Sequence, residues 1–64
     1  MIKTVSESGR KEFLLLLQAQ LKNGKTRRQI AKELGVTYDS VYSWLSGRRK
    51  PAEDVLDDLR AIDD

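Results

Sequence analysis

The chain has 64 residues, with 12 Lys/Arg, 10 Asp/Glu, no His and no Cys, so a disulfide framework, a Cys/His zinc site and His-based catalysis are all excluded. One domain is expected, spanning residues 1–64, and a core this small supplies only about 3–5 kcal/mol, which makes self-association a natural source of added stability. The net charge of +2 conceals a division: residues 1–50 hold 11 Lys/Arg against 4 Asp/Glu, whereas residues 51–64 hold 1 against 6.

A basic body with an acidic end points to an electrostatic partner for the body, with nucleic acid the leading candidate. The plainer alternative is a solvated surface with uneven charge. The longest apolar run, residues 13–17, is shorter than the about 7–15 residues of a signal-peptide core and far shorter than a bilayer span. A cytoplasmic protein without a membrane partner is expected.

After a short head, MIKTVSESG, the segment RKEFLLLLQAQLKNG repeats Phe13, Leu14, Leu17 and Leu21 on one helical stripe. Asn23-Gly24 ends that helix by C-cap chemistry. Thr26 opens a second helix as N-cap, with Gln29 completing a capping box, and Ile30, Ala31 and Leu34 form its buried face. Gly35 stops it where a positive φ is needed. Thr37 caps a third helix, in which about 100° per residue groups Val41, Trp44 and Leu45 on one side. Asp39, Tyr42, Ser43 and Ser46 fall on the other side. Gly47 ends this helix, and SGRRKP is a turn in which Pro51 suits the first position of a fourth helix over about 51–62. There Ala52, Val55, Leu56, Leu59 and Ile62 form a continuous apolar stripe, while Glu53 and Asp54 favour the positive end. Only a weak Ile2/Val5 alternation hints at a strand. The expectation is an all-α bundle of four short helices.

The corner at Gly35 joins two short amphipathic helices, which is the requirement of a helix-turn-helix. The first helix lies across the DNA backbone, and the second is clamped by its apolar face so that its polar face stands out into the major groove. The motif spans about residues 26–46 and its recognition helix about 37–46. Ala31 is small where helix backbones approach, Val36 plugs the turn into the core, and Val41 with Trp44 holds the recognition helix.

The stretch TRRQIAKELGVTYDSVYSWLSGRRKP resembles the helix-turn-helix of lambda repressor-like proteins, the class of phage repressors, Cro proteins and small XRE-type bacterial regulators. The likeness rests on Thr26-Arg27, Ala31, Leu34-Gly35-Val36-Thr37, Val41, Trp44, and Gly47 followed by a basic run and Pro51. It implies a small four-helix lambda repressor-like domain that binds double-stranded DNA. In two respects the chain departs from many relatives: Arg27 stands where Gln is frequent, and the sequence ends with the fourth helix, without the fifth often used for dimerisation.

Corresponding family positions face base edges, which the resemblance carries to Tyr38, Asp39, Tyr42 and Ser43. Chemically, the tyrosines can stack on sugar or touch a thymine methyl, Ser43 can bond several bases, and Asp39 can accept from cytosine N4. Packing against the second helix is the competing role for Tyr38, and a favourable charge near the helix start is that for Asp39. Arg27 and Arg28 begin the second helix, where backbone N–H groups and side chains meet a phosphate together. Arg48, Arg49 and Lys50 leave the third helix on the same side, and Thr37 and Ser40 can add hydroxyl bonds to phosphate, with capping as the alternative for Thr37. Trp44 reads as core rather than as a base stacker. Leu15, Leu16 and Ala19 fall away from the core stripe of the first helix. Either the head residues Ile2 and Val5 cover them or, together with Ile2 and Val5, they meet a second subunit.

The reading that follows is a transcriptional regulator, a repressor that occupies a palindromic operator as a homodimer, paired either in solution or only on DNA. It would be nucleoid-associated when bound. The alternatives are the helix-turn-helix module of a recombinase or transposase, and an antitoxin-like protein-interaction module. A 64-residue chain with no catalytic domain argues for the regulator. No motif calls for a cofactor, a metal or a small-molecule ligand, and no catalytic constellation is present in the sequence.

Overall fold

The computed structural model describes residues 3–63, and among them four helices occur in the order α1 (Glu7–Lys22), α2 (Arg27–Leu34), α3 (Tyr38–Ser46) and α4 (Glu53–Asp63). No strand is present among the described residues; an isolated antiparallel bridge joins Thr4 to Ala52. The fold is therefore all-α, as its periodicities require. α1 packs on α4, α2 on α3, and α2 also on α4. No helix among the described residues is long and apolar enough to cross a membrane.

α1 starts a turn earlier than its apolar stripe suggests. Ser6 caps it by accepting the Gly9 N–H at 3.2 Å, with Glu7 at the positive end. Gly9, which reads as part of the head because glycine disfavours helices, is inside α1 for a steric reason. A Cβ there would lie 2.9 Å from the Val5 Cβ, so only glycine lets the head cross this closely. Val5 consequently enters the core at 3% exposure.

The start of α4 also differs from expectation. Pro51 precedes the helix by two residues and is buried, its carbonyl accepting the Val5 N–H at 3.0 Å. Glu53 N–H donates to the Lys3 carbonyl at 3.0 Å, and Ala52 supplies the carbonyl that opens the helical ladder to Val55 and Leu56. Head and turn thus satisfy each other's backbone groups, as buried main chain must.

The core comprises Val5, Phe13, Leu17, Ile30, Ala31, Leu34, Val41, Trp44, Leu56 and Leu59, with Leu16, Leu21, Val36, Leu45, Val55 and Ile62 packed against it. Phe13 and Trp44 meet edge to face at 5.4 Å between ring centroids and 85° between planes, a favoured aromatic arrangement. The Trp44 indole N–H is buried without an acceptor among the described residues, so the packing of the ring outweighs the cost of an unmade hydrogen bond. Gln20 is buried on the same face of α1.

One residue assigned to a subunit contact belongs to this core instead. Val5 is enclosed within its own chain, whereas Leu16 packs against the cluster but is only half-buried. Leu15 remains 67% exposed and Ala19 is half-buried, while Ile2 lies outside the described residues.

Ion pairs fasten α1 to its neighbours. Arg60 of α4 donates to Glu12 through Nε at 2.6 Å and Nη2 at 2.7 Å, and to Asp57 through Nη1 at 3.1 Å. The hydrogen bonds from Arg60 hold the Glu12 carboxyl below the usual glutamate range, and reciprocally raise the pKa of Arg60. Glu7 is lowered chiefly by its hydrogen bond from Lys50, then by the Lys50 charge. A depressed folded pKa means stability that is complete above the unfolded glutamate pKa and is lost as pH falls through the folded one. Urea unfolding midpoints are therefore expected to be flat just above the carboxylate range and to fall below it, with Glu12→Gln flattening part of that fall. An acid limb of unchanged steepness in Glu12→Gln would show that the pair adds nothing.

Candidate nucleic-acid interface

The α2–α3 corner is built from local chemistry. Thr26 Oγ1 accepts the Gln29 N–H at 3.1 Å, while Gln29 Oε1 accepts the Thr26 N–H at 2.9 Å, closing the capping box. At the other end Gly35 adopts φ 72°, ψ 28°, a left-handed conformation that costs a residue with a side chain energy. The Val36 N–H then reaches back to the Ala31 carbonyl at 2.9 Å, the Schellman bond that closes a helix end. Val36 drops against the core, and the chain restarts at Thr37. That residue caps α3 by accepting the Ser40 N–H at 3.2 Å, and its hydroxyl also meets the Ser40 hydroxyl at 3.0 Å.

α3 is clamped by one face only. Val41 and Trp44 are buried, Leu45 packs against the core, and the opposite face carries Asp39, Tyr42 and Ser43, with Tyr42 54% exposed. Asp39 is exposed at the helix start and Ser43 is half-buried. Ser46 is exposed as well, its hydroxyl donating to the Ser43 carbonyl at 3.1 Å. Tyr38, 42% exposed, sits at the edge, where the Arg28 guanidinium lies 5.6 Å from its ring centroid. This cation–π contact fixes Tyr38 against α2, so Tyr38 combines packing with exposure.

The basic side chains gather at both ends of α3. A groove at the start of α2 is lined by Leu21, Lys25, Thr26, Arg27, Arg28 and Tyr38. Lys25 is already paired with Glu33 at 2.9 Å, which leaves Arg27 and Arg28 as its available charges. Beyond α3, Gly47 caps at φ 83°, the Arg48 N–H returns to the Ser43 carbonyl at 3.0 Å, and Arg48 and Arg49 stand exposed. Lys50, exposed as well, donates to Glu7 of α1 at 2.8 Å. That pairing has no signal in the sequence, because it depends on how the head folds over the turn. The seven residues assigned to phosphate, Arg27, Arg28, Thr37, Ser40, Arg48, Arg49 and Lys50, thus divide. Three arginines, Arg27, Arg48 and Arg49, have neither an ion-pair partner nor a ring contact among the described residues. Arg28 is stacked, Lys50 is paired, and the two hydroxyls serve the α3 cap.

A family model, the homeodomain-like domain, matches residues 4–50, from the head to the end of the turn after α3. The chain belongs to the homeodomain-like helix-turn-helix family. This is a DNA-binding family, and the match covers every residue of the corner, of α3 and of the two basic groups. It does not single out the lambda repressor-like type, and α4 lies beyond the matched range. A search of curated proteins and a search of solved structures returned no match.

Proposed function

We propose that this homeodomain-like protein is a sequence-specific double-stranded-DNA-binding transcriptional regulator, which docks in the lambda repressor-like manner and acts as a repressor from the cytoplasm. α3 enters the major groove, Tyr42, Ser43 and Asp39 read base edges, and Tyr38 spans the groove edge and the backbone. Arg27 and Arg28 at the start of α2, and Arg48, Arg49 and Lys50 after α3, contact phosphates on either side, with Thr37 and Ser40 contributing hydroxyls. The observation that carries this reading is the one-sided clamping of α3, which buries Val41 and Trp44 and leaves Tyr42 exposed between two basic groups.

One recognition helix offers about four side chains to the bases, so two copies on one operator multiply a modest discrimination. The half-sites are then centred about 34–36 Å apart in a palindrome. Repression follows from occupancy of the promoter. The family match fits the helix-turn-helix module of a transposase equally well, and the two readings differ in the DNA they select. Duplexes bound from a random pool, sequenced and footprinted, are expected to share a two-fold-symmetric site. Recovery of no common sequence would overturn the proposal, and a single asymmetric site would favour the transposase-type module.

A further inference from the structure

The solvent faces of α1 and α4 carry opposite charge. On α1, Lys11, Leu15, Gln18 and Lys22 form an exposed stripe on the side away from Phe13 and Leu17. On α4, Asp54, Asp58 and Ala61 form an exposed stripe away from Leu56 and Leu59. Lys11, Lys22, Asp54 and Asp58 make no ion pair among the described residues. The two helices lie side by side and run the same way, since Gly9 is level with Leu56 and Glu12 with Arg60. The stripes therefore flank the Glu12–Arg60 pair.

We propose that these stripes bind a second copy of the chain about a two-fold axis running along the helices, so that α1 of each copy lies on α4 of the other. A rotation about that axis leaves heights unchanged, which fixes the register. Lys11 comes level with the partner's Asp58, and Leu15 lies beside the partner's Ala61. Reciprocity gives each contact twice. The other pairings are worse: α1 on α1 joins faces whose unpaired charges are both lysines, and α4 on α4 sets aspartate against aspartate. With Val5 enclosed in the core and Leu16 and Ala19 half-buried, an α1 patch alone is too small for a dimer, whereas the crossed arrangement doubles the contact and sets Lys11 against the partner's Asp58.

Exposed ion pairs and one leucine per side make a weak interface. The free chain is monomeric when dilute, and its pairing becomes effective where DNA holds two copies close together. In its biological use this inference rests on the operator reading above, but its test needs no DNA.

Sedimentation equilibrium of the full chain in low salt, at concentrations up to about 1 mM, is expected to show the mass rising from 7.3 kDa toward twice that value. Lys11→Asp or Asp58→Lys should each weaken pairing by about tenfold or more without changing the helical circular dichroism, and the two together should restore it. A parent chain that stays monomeric throughout, or a double variant as weak as the single ones, overturns the proposal. Binding of the parent to a selected half-site is measured separately. Retained sequence preference in a monomer overturns only the pairing, and a dimer without that preference overturns only the DNA reading.

Discussion

Phe13→Ala is expected to abolish the cooperative unfolding transition, leaving a chain largely unfolded at room temperature. Phe13 is fully buried and packs edge to face on Trp44 at 5.4 Å. Its truncation removes transfer free energy and leaves a cavity, together about 3–5 kcal/mol. A core of this size supplies roughly the same amount in total. The ring also ties α1 to α3, so its loss loosens the helix proposed to enter the major groove. Leu15→Ala, at 67% exposure, is the control and should shift stability by no more than about 0.5 kcal/mol. Urea titrations followed by circular dichroism check both. A Phe13→Ala midpoint close to that of the parent would show that the core is organised around other contacts.

The second large effect is on salt dependence. If Arg27, Arg48 and Arg49 each neutralise one phosphate, a pair of copies neutralises about six, and the log–log slope of affinity against salt is about −5. Affinity then falls about a thousandfold between about 50 and 200 mM salt. Replacing any one of the three by Ala should make the slope shallower by about 2 in the paired complex, with no change in the preferred sequence. Lys50→Ala should have a smaller effect, because Lys50 must exchange the Glu7 carboxylate, now at 2.8 Å, for a phosphate. Anisotropy titrations across this salt range provide the measurement. A slope unchanged in all three arginine variants would remove them from the interface.

What the sequence made legible, and what it hid, follow from the distance over which each feature is determined. The corner was readable because its determinants are local. Thr26 and Gln29 cap within one turn, Gly35 takes its φ alone, and Thr37 bonds three residues ahead. Trp44 and Val41 fell on the buried side because helical periodicity is a short-range property, and the structure buries both. The errors lie where distant segments meet. In sequence Val5 reads as open to a second subunit, yet Pro51 accepts its N–H and Gly9 makes room for it. Pro51 suits the first position of a helix by its fixed φ, although pairing with the head holds it outside α4. Leu16 lies off the stripe of α1, yet it packs against the core cluster and is half-buried. The Lys50–Glu7 pair was invisible for the same reason. Assignment of base-reading side chains stands between these cases: periodicity gives the face, but the stacking of Arg28 on Tyr38 distinguishes Tyr38 from its neighbours.

The central claim is that the exposed face of α3 reads base sequence, and the most direct measurement is selection from a random duplex pool with the parent, Tyr42→Ala and Ser43→Ala run in parallel. The expected result is one shared site in which each variant loses preference at particular base pairs, by about 1–3 kcal/mol for a good contact, while its salt slope is unchanged. Equal loss of affinity on selected and random duplexes would contradict the claim, because it would make Tyr42 and Ser43 contacts to the backbone rather than to the bases.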